Sequence, residues 1–223
     1  MKVFSKISQR IGSIIRRYGW RTIFVVAANS ISSLGGARNY VRVALLRLLS
    51  GGAKGKGLIL GQGITYRNGV FICMGSHCTL GDRVVLEVGL NPKGELWLGD
   101  HVWISHDVHL AANARLIIGN NVLVGEFSSV RDSSHSHADP TIPIKLQKDS
   151  YGTILIEDDV WIGRGCAVLG RPDGVVIGKG AIVGANSVVG RSIPPMEIWG
   201  GVPARFLRKR NRQDNGLIGN DTN

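Results

Sequence analysis

Long apolar runs are missing from this sequence. No window approaches the ~18–20 apolar residues that a membrane-crossing helix needs. Cysteine is scarce: Cys73, Cys78 and Cys166 form no CxxC pair and are odd in number. That argues against a disulfide framework and fits a reducing compartment. No metal-ligand spacing of Cys and His occurs, so no metal is expected. Residues 1–56 lack Asp and Glu altogether and carry 11 of the 27 Lys and Arg. Residues 57–223 hold the other 16 basic and all 16 acidic residues, so the net charge of +11 belongs to the N-terminal segment. That segment has none of the aromatic interleaving of single-strand readers, and a nucleic-acid partner is not expected. A hydrophobic fraction of 43% is enough for a packed core and argues against disorder throughout.

The basic segment has helical periodicity. Val3, Ile7, Ile11, Ile14 and Tyr18 share one face, with Lys6, Arg10 and Arg17 elsewhere on the wheel. A second apolar stretch, residues 41–49, carries Arg42 and Arg47. Two readings stand side by side. A basic amphipathic helix suits peripheral contact with an anionic membrane, each Lys or Arg adding about 1 kcal/mol. A helical cap on the open end of a repeat array is the other reading. The short apolar run at 22–28 starts late for a signal peptide. These features point to a cytoplasmic protein, at the inner membrane face if the segment binds lipid.

Beyond residue 57 a six-residue beat of aliphatic positions takes over. Leu98, Ile104 and Leu110 are six apart, as are Ile118, Val124 and Val130, then Ile156, Ile162 and Val168, then Ile177, Val183 and Val189. A small residue usually follows each, for example Gly99, Ser105, Gly119, Gly125, Gly163 and Gly184. Fixed-period self-similarity marks a solenoid. Three six-residue sides make an 18-residue coil, with each aliphatic inside and each small residue at a corner. The fold class expected is all-β: a parallel β-helix with a helical N-terminal segment. Hairpin signals and period-2 alternation, which a β-sandwich would need, are sparse. The beat breaks once, over a loop expected at residues 136–155, directly after His135. A regular scaffold interrupted at a titratable side chain is where function is expected.

At this point the chain resembles the hexapeptide-repeat acyltransferases over roughly residues 58–210. The coil IGNNVLVGEFSSVRDSSH (118–135) is similar to the sugar O-acetyltransferase coil that ends in a catalytic histidine. IEDDVWIGRGCAVLG (156–170) resembles the family's VWIG coil, and IGKGAIVGANSVVGRSIPPMEIWGGVPAR (177–205) its terminal coil, proline break and GxPA(K/R) ending. HSHADPTIPI (135–144) favours the polysaccharide-modifying branch. The resemblance implies a left-handed β-helix, acetyl-CoA as co-substrate, a carbohydrate acceptor, and a homotrimer with sites between subunits. The domains are then 1–56, a basic and partly helical segment; 57–210, the acyltransferase domain with a closing segment at 195–210; and 211–223, a polar tail.

The resemblance also assigns residues. His135 matches the catalytic base, a role imidazole suits near neutral pH. His137 is a lesser rival and an acceptor contact. Asp132 or Asp139 is expected to orient an imidazole, with a turn role equally open for Asp132. Ser105 and Asn113 stand where related sugar acetyltransferases hold the acceptor with Asn and Asp, which implies a different acceptor. Trp161, Arg164, Ala185, Gly190, Arg191, Arg205 and Arg208 match coenzyme-contact positions. His77, His101, His106 and His109 are expected in surface turns, with acceptor contact the second reading for His106 and His109. Cys166 is expected to be inert. Competing readings are a small acceptor (serine, a free sugar or an antibiotic), a non-catalytic binding scaffold, and a γ-class carbonic anhydrase with three converging histidines.

Overall fold

The structure, a computed structural model, describes residues 39–50, 52–68, 71–90 and 94–211. The periodic segment at 3–18 and the tail from 212 lie outside them. The hexads close into a parallel solenoid with three sides. Side 1 stacks Ile59–Leu60, Thr79–Leu80, Trp103–Ile104, Leu123–Val124, Trp161–Ile162 and Ile182–Val183. Side 2 stacks Thr65–Asn68, Val85–Val88, His109–Ala112, Ser129–Arg131, Ala167–Leu169 and Val188–Val189. Side 3 stacks Ile72–Met74, Glu95–Leu98, Arg115–Ile118, Thr153–Ile156 and Val175–Ile177.

Each hexad turns two side chains inward. Val102, Ile104, Val108, Leu110, Leu116 and Ile118 line one coil and are buried. Each contributes about 1.5–3 kcal/mol of apolar burial. At Gly99 the small residue after the aliphatic is required by contact, not by φ. A Cβ on Gly99 would sit 2.6 Å from Asn120 Oδ1 and 2.8 Å from the Gly119 carbonyl carbon of the next coil. The left-handed backbone falls two residues later, at His101, Asp107, Asn121, Phe127, Asp159 and Asn186, with φ of 56–60°.

The coils are longer than 18 residues. Successive side 1 partners Ile59, Thr79, Trp103 and Leu123 are 20, 24 and 20 residues apart. The additional residues collect at one corner, between sides 2 and 3. The long excursion leaves from that corner and spans 132–152, earlier than the sequence pattern placed it. Ser133–His135 and Asp149–Tyr151 pair antiparallel, with a 3-10 turn at Ile144–Leu146 between them. Thr153–Ile156 is already side 3 again. His135 therefore ends a hairpin strand outside the solenoid, not a coil.

Both ends are covered. Helix α1, Asn39–Ser50, buries Val43 and Leu46 against the first coil. Its polar side chains meet the strand edge there: the Asn39 amide donates to Leu58 O at 2.8 Å and accepts from Leu60 N at 2.7 Å, and Arg42 donates to Leu60 O at 2.8 Å. Arg47 donates to the Ala53 and Gly55 carbonyls. At the far end Glu197–Gly200 continues side 1 in parallel, and Arg205–Lys209 turns back antiparallel on it.

Candidate active site

The excursion is rooted by a buried carboxylate. Asp132, fully buried, accepts from the backbone N–H groups of Asn113 and Ala114, each at 2.7 Å. Burial pushes its carboxyl above the ordinary range, while these N–H groups pull the other way. Asp132 thus ties two coils together and does not touch an imidazole. The Asn113 side chain donates to Ser133 Oγ at 2.9 Å, at the base of the hairpin. Gly152 closes the excursion by donating to Asp132 O at 2.9 Å. A Cβ there would overlap the Arg171 carbonyl oxygen at 1.6 Å, so the hairpin packs directly on the next coil's corner.

His135 stands at the exposed end of this hairpin, with 77% of its side chain accessible. Its orienting carboxylate is Asp149, directly across the antiparallel pair, with 2.6 Å between Nδ1 and Oδ1. An aspartate accepting from Nδ1–H leaves Nε2 as a lone-pair acceptor facing outward. The Tyr151 hydroxyl donates to the other oxygen of Asp149 at 3.4 Å, and partial burial with the Asp149 charge holds that phenol above its ordinary value. The sequence pattern proposed Asp132 or Asp139 for this part. Asp139 instead caps its own turn, accepting from Thr141. Asp149 was missed because it follows His135 by fourteen residues, across a loop without periodicity. His137 is exposed, its ring 3.4 Å from the His135 carbonyl.

The remaining assigned residues fall into two groups. Arg191 and Gly190 share the corner of the hairpin. Arg191 lines an open pocket of about 320 Å³ with Arg171, Asp173, Gly174 and Ser192. Two guanidiniums against one carboxylate suit an anion such as a phosphate. A Cβ on Gly190 would meet nothing within 4 Å, so the fold itself does not demand glycine there. Ser105, Arg164 and Ala185 lie at the other corner of side 2, where side 1 turns into it. Ser105 Oγ is 3.5 Å from His106 Nδ1. Arg164 pairs with Glu126 at 3.1 Å. Trp161 projects from side 1, half-exposed, in register with Leu123 and Trp103. Arg205 and Arg208 lie on the closing strand, Arg205 donating to its neighbour's carbonyl at 3.2 Å. One chain therefore does not bring Trp161 or Arg164 to His135.

The other histidines and Cys166 have structural places. His77, His101 and His106 occupy corner turns, and His77 stacks on His101 at 5.0 Å. His109 departs from the expected turn: it lies on a side 2 strand, 3.2 Å from Glu87. Burial, with help from Arg131, lowers its pKa. The buried Cys166 thiol donates to Gly184 O at 3.1 Å, and burial raises its pKa, so it stays protonated. Among the described residues no group of three or more His, Cys, Asp or Glu could hold a metal ion.

No protein-family model matches the chain. Over 154 residues it is 32% identical to WbbJ of Escherichia coli K12, provisionally named a lipopolysaccharide biosynthesis O-acetyl transferase; the match spans 66% of this chain and 76% of that one. Over 149 residues it is 30% identical to WcaF of the same organism, provisionally named a colanic acid biosynthesis acetyltransferase, spanning 66% and 78%. Among solved structures, the hexapeptide-repeat acetyltransferase VCA0836 of Vibrio cholerae, complexed with acetyl coenzyme A, matches with a TM-score of 0.62 at 27% identity. That match covers 85% of this chain and 88% of that one.

Proposed function

The chain belongs to the hexapeptide-repeat acetyltransferases, and on that footing we propose that it moves an acetyl group from acetyl-CoA to a hydroxyl of a carbohydrate, with His135 as general base. The observation that carries this reading is the His135–Asp149 pair, held on an exposed hairpin with Nε2 unengaged by the carboxylate. His135 Nε2 takes the acceptor hydroxyl's proton as that oxygen attacks the thioester carbonyl. Asp149 keeps the ring in the accepting tautomer and stabilises the imidazolium. The imidazolium then returns the proton to the departing sulfur as the C–S bond breaks, leaving an ester and a free thiol.

The pocket of Arg171 and Arg191 is the part of this chain that suits the coenzyme's phosphates, because it lies in the corner beneath the hairpin. Trp161 and Arg164, on another side and another corner, would complete the site from a neighbouring copy. A homotrimer with sites shared between subunits is therefore part of the proposal. The relatives' names direct the acceptor towards an envelope or exported polysaccharide, or its lipid-linked precursor. No helix among the described residues is long and apolar enough to cross a membrane. Work at the inner membrane face would rest on peripheral contact through residues 1–56.

The test is transfer of labelled acetyl from acetyl-CoA into glycolipid and polysaccharide fractions by the wild type and by His135→Ala. Label in a glycan that disappears in the variant supports the reading. Label confined to small molecules moves the acceptor to serine, a free sugar or an antibiotic. Label that persists in the variant removes His135 as base.

A further inference from the structure

At the corner between sides 1 and 2, Phe127 is out of keeping with its conformation. The left-handed positions between sides 1 and 2 are Gly63, Arg83, Asp107, Phe127, Gly165 and Asn186. Glycine, asparagine and aspartate adopt this backbone at little cost, whereas bulky side chains are strained in it. Arg83 is anchored there by a two-point ion pair with Asp107, at 2.7 and 2.6 Å. Phe127 has φ of 60° and is 54% exposed, so it is strained without burying its ring. Strain retained at an exposed aromatic is a sign of use.

The surroundings of Phe127 indicate the use. The His106 ring meets it edge-on, 5.5 Å between centroids at 85°. The Arg164 guanidinium carbon lies 5.5 Å from the ring centroid, and Arg164 is itself paired with Glu126. Ser105 stands beside His106. An open apolar ring is thus flanked by an imidazole, a guanidinium, a carboxylate and a hydroxyl. One positive charge faces one negative charge, so nothing here favours a multiply charged phosphate. An apolar platform with planar hydrogen-bonding groups at its rim matches a neutral ring with an apolar C–H face and a hydroxylated edge.

We propose that Phe127, with His106, Arg164, Glu126 and Ser105, forms a stacking platform for a pyranose ring of the acceptor. The platform rests on the carbohydrate-acetyltransferase reading and names the residue that selects its acceptor. It also gives Arg164 a role at the sugar in place of the coenzyme.

The experiment uses the full chain as wild type, Phe127→Asn, which suits the left-handed backbone, and Phe127→Tyr, which keeps the ring. Binding of the methyl pyranosides of glucose, galactose and rhamnose is followed by saturation-transfer NMR, and acetyl-CoA binding by calorimetry. Expected are pyranoside signals on one sugar face with wild type and Phe127→Tyr, weakened roughly tenfold or more in Phe127→Asn. Acetyl-CoA affinity stays unchanged, and Phe127→Asn melts no lower than wild type. No pyranoside signal with wild type, equal binding by Phe127→Asn, or a loss of acetyl-CoA binding instead would each overturn the platform. Glycan labelling at limiting acceptor separates the two readings. Equal label from wild type and Phe127→Asn sinks the platform alone, whereas no label from wild type sinks the reaction reading.

Discussion

Asp149 and His135 face each other across an antiparallel pair, carboxylate oxygen to Nδ1 at 2.6 Å. The contact sits outside the solenoid, so its geometry depends on the hairpin and not on the coil repeat. Asp149→Asn should lower kcat by about 10²–10³-fold, and His135→Ala by at least as much. KM for acetyl-CoA should stay near wild type in both. Imidazole ¹⁵N spectra of His135 should show Nδ1–H in the wild type and a mixture of tautomers in Asp149→Asn. An unchanged tautomer with unchanged kcat would remove Asp149 from the mechanism.

Gly152 is the hinge of close contact between the hairpin and the coil after it. Gly152→Ala forces the hairpin root off the Arg171 carbonyl. The expected result is loss of most activity with the β-rich circular dichroism spectrum intact and a melting point only a few degrees lower. Full activity in that variant would mean that the position of His135 relative to the solenoid is unimportant.

If His135 and Trp161 meet only across a subunit boundary, two inactive variants can repair each other. His135→Ala and Trp161→Ala, unfolded together and refolded as mixed trimers, should recover about a quarter of wild-type activity, since random mixing leaves that share of sites with both residues. No recovery in mixed trimers would place both residues in one chain's site.

His109 supplies a pH dependence. Burial and Arg131 hold its folded pKa below that of the unfolded chain, which is about 6.5. The unfolded state therefore binds the proton more readily. Stability is complete above about pH 6.5 and falls as the pH drops through that value towards the folded pKa. His109→Gln should flatten the melting temperature between pH 7 and 5, measured by calorimetry. A wild-type melting temperature that rises on acidification would contradict the shift.

The solenoid was legible because inward positions recur, and the aliphatics that fill them cannot be exchanged for polar residues without an unsatisfied core. Ile104, Val124, Ile162 and Val183 fall where the beat placed them. The corners were less legible: the pattern shows that Gly99 must be small but not that contact alone demands it, nor that the left-handed position falls at His101. His135 stood out in the sequence through its motif. Asp149 did not, since a cross-strand partner in an aperiodic loop leaves no spacing to read. For Asp132 the sequence left an orienting role and a backbone-satisfying turn role evenly open. An aspartate three residues before a histidine invites pairing, whereas its oxygens are taken by two N–H groups of the preceding coil.

The three polar side chains of α1 also bear on what can add to the first strand of side 1. A stack of parallel strands is a growing polymer end, open to a further coil from any chain that presents one. Asn39, Arg42 and Arg47 occupy those donor and acceptor positions with groups that offer no backbone to the next layer. The reversed strand Arg205–Lys209 flanks side 1 at the opposite end. Among the described residues, side 1 therefore ends in side chains at one end and in a reversed strand at the other, and a further parallel strand finds no ready backbone partner beside Ile59–Leu60.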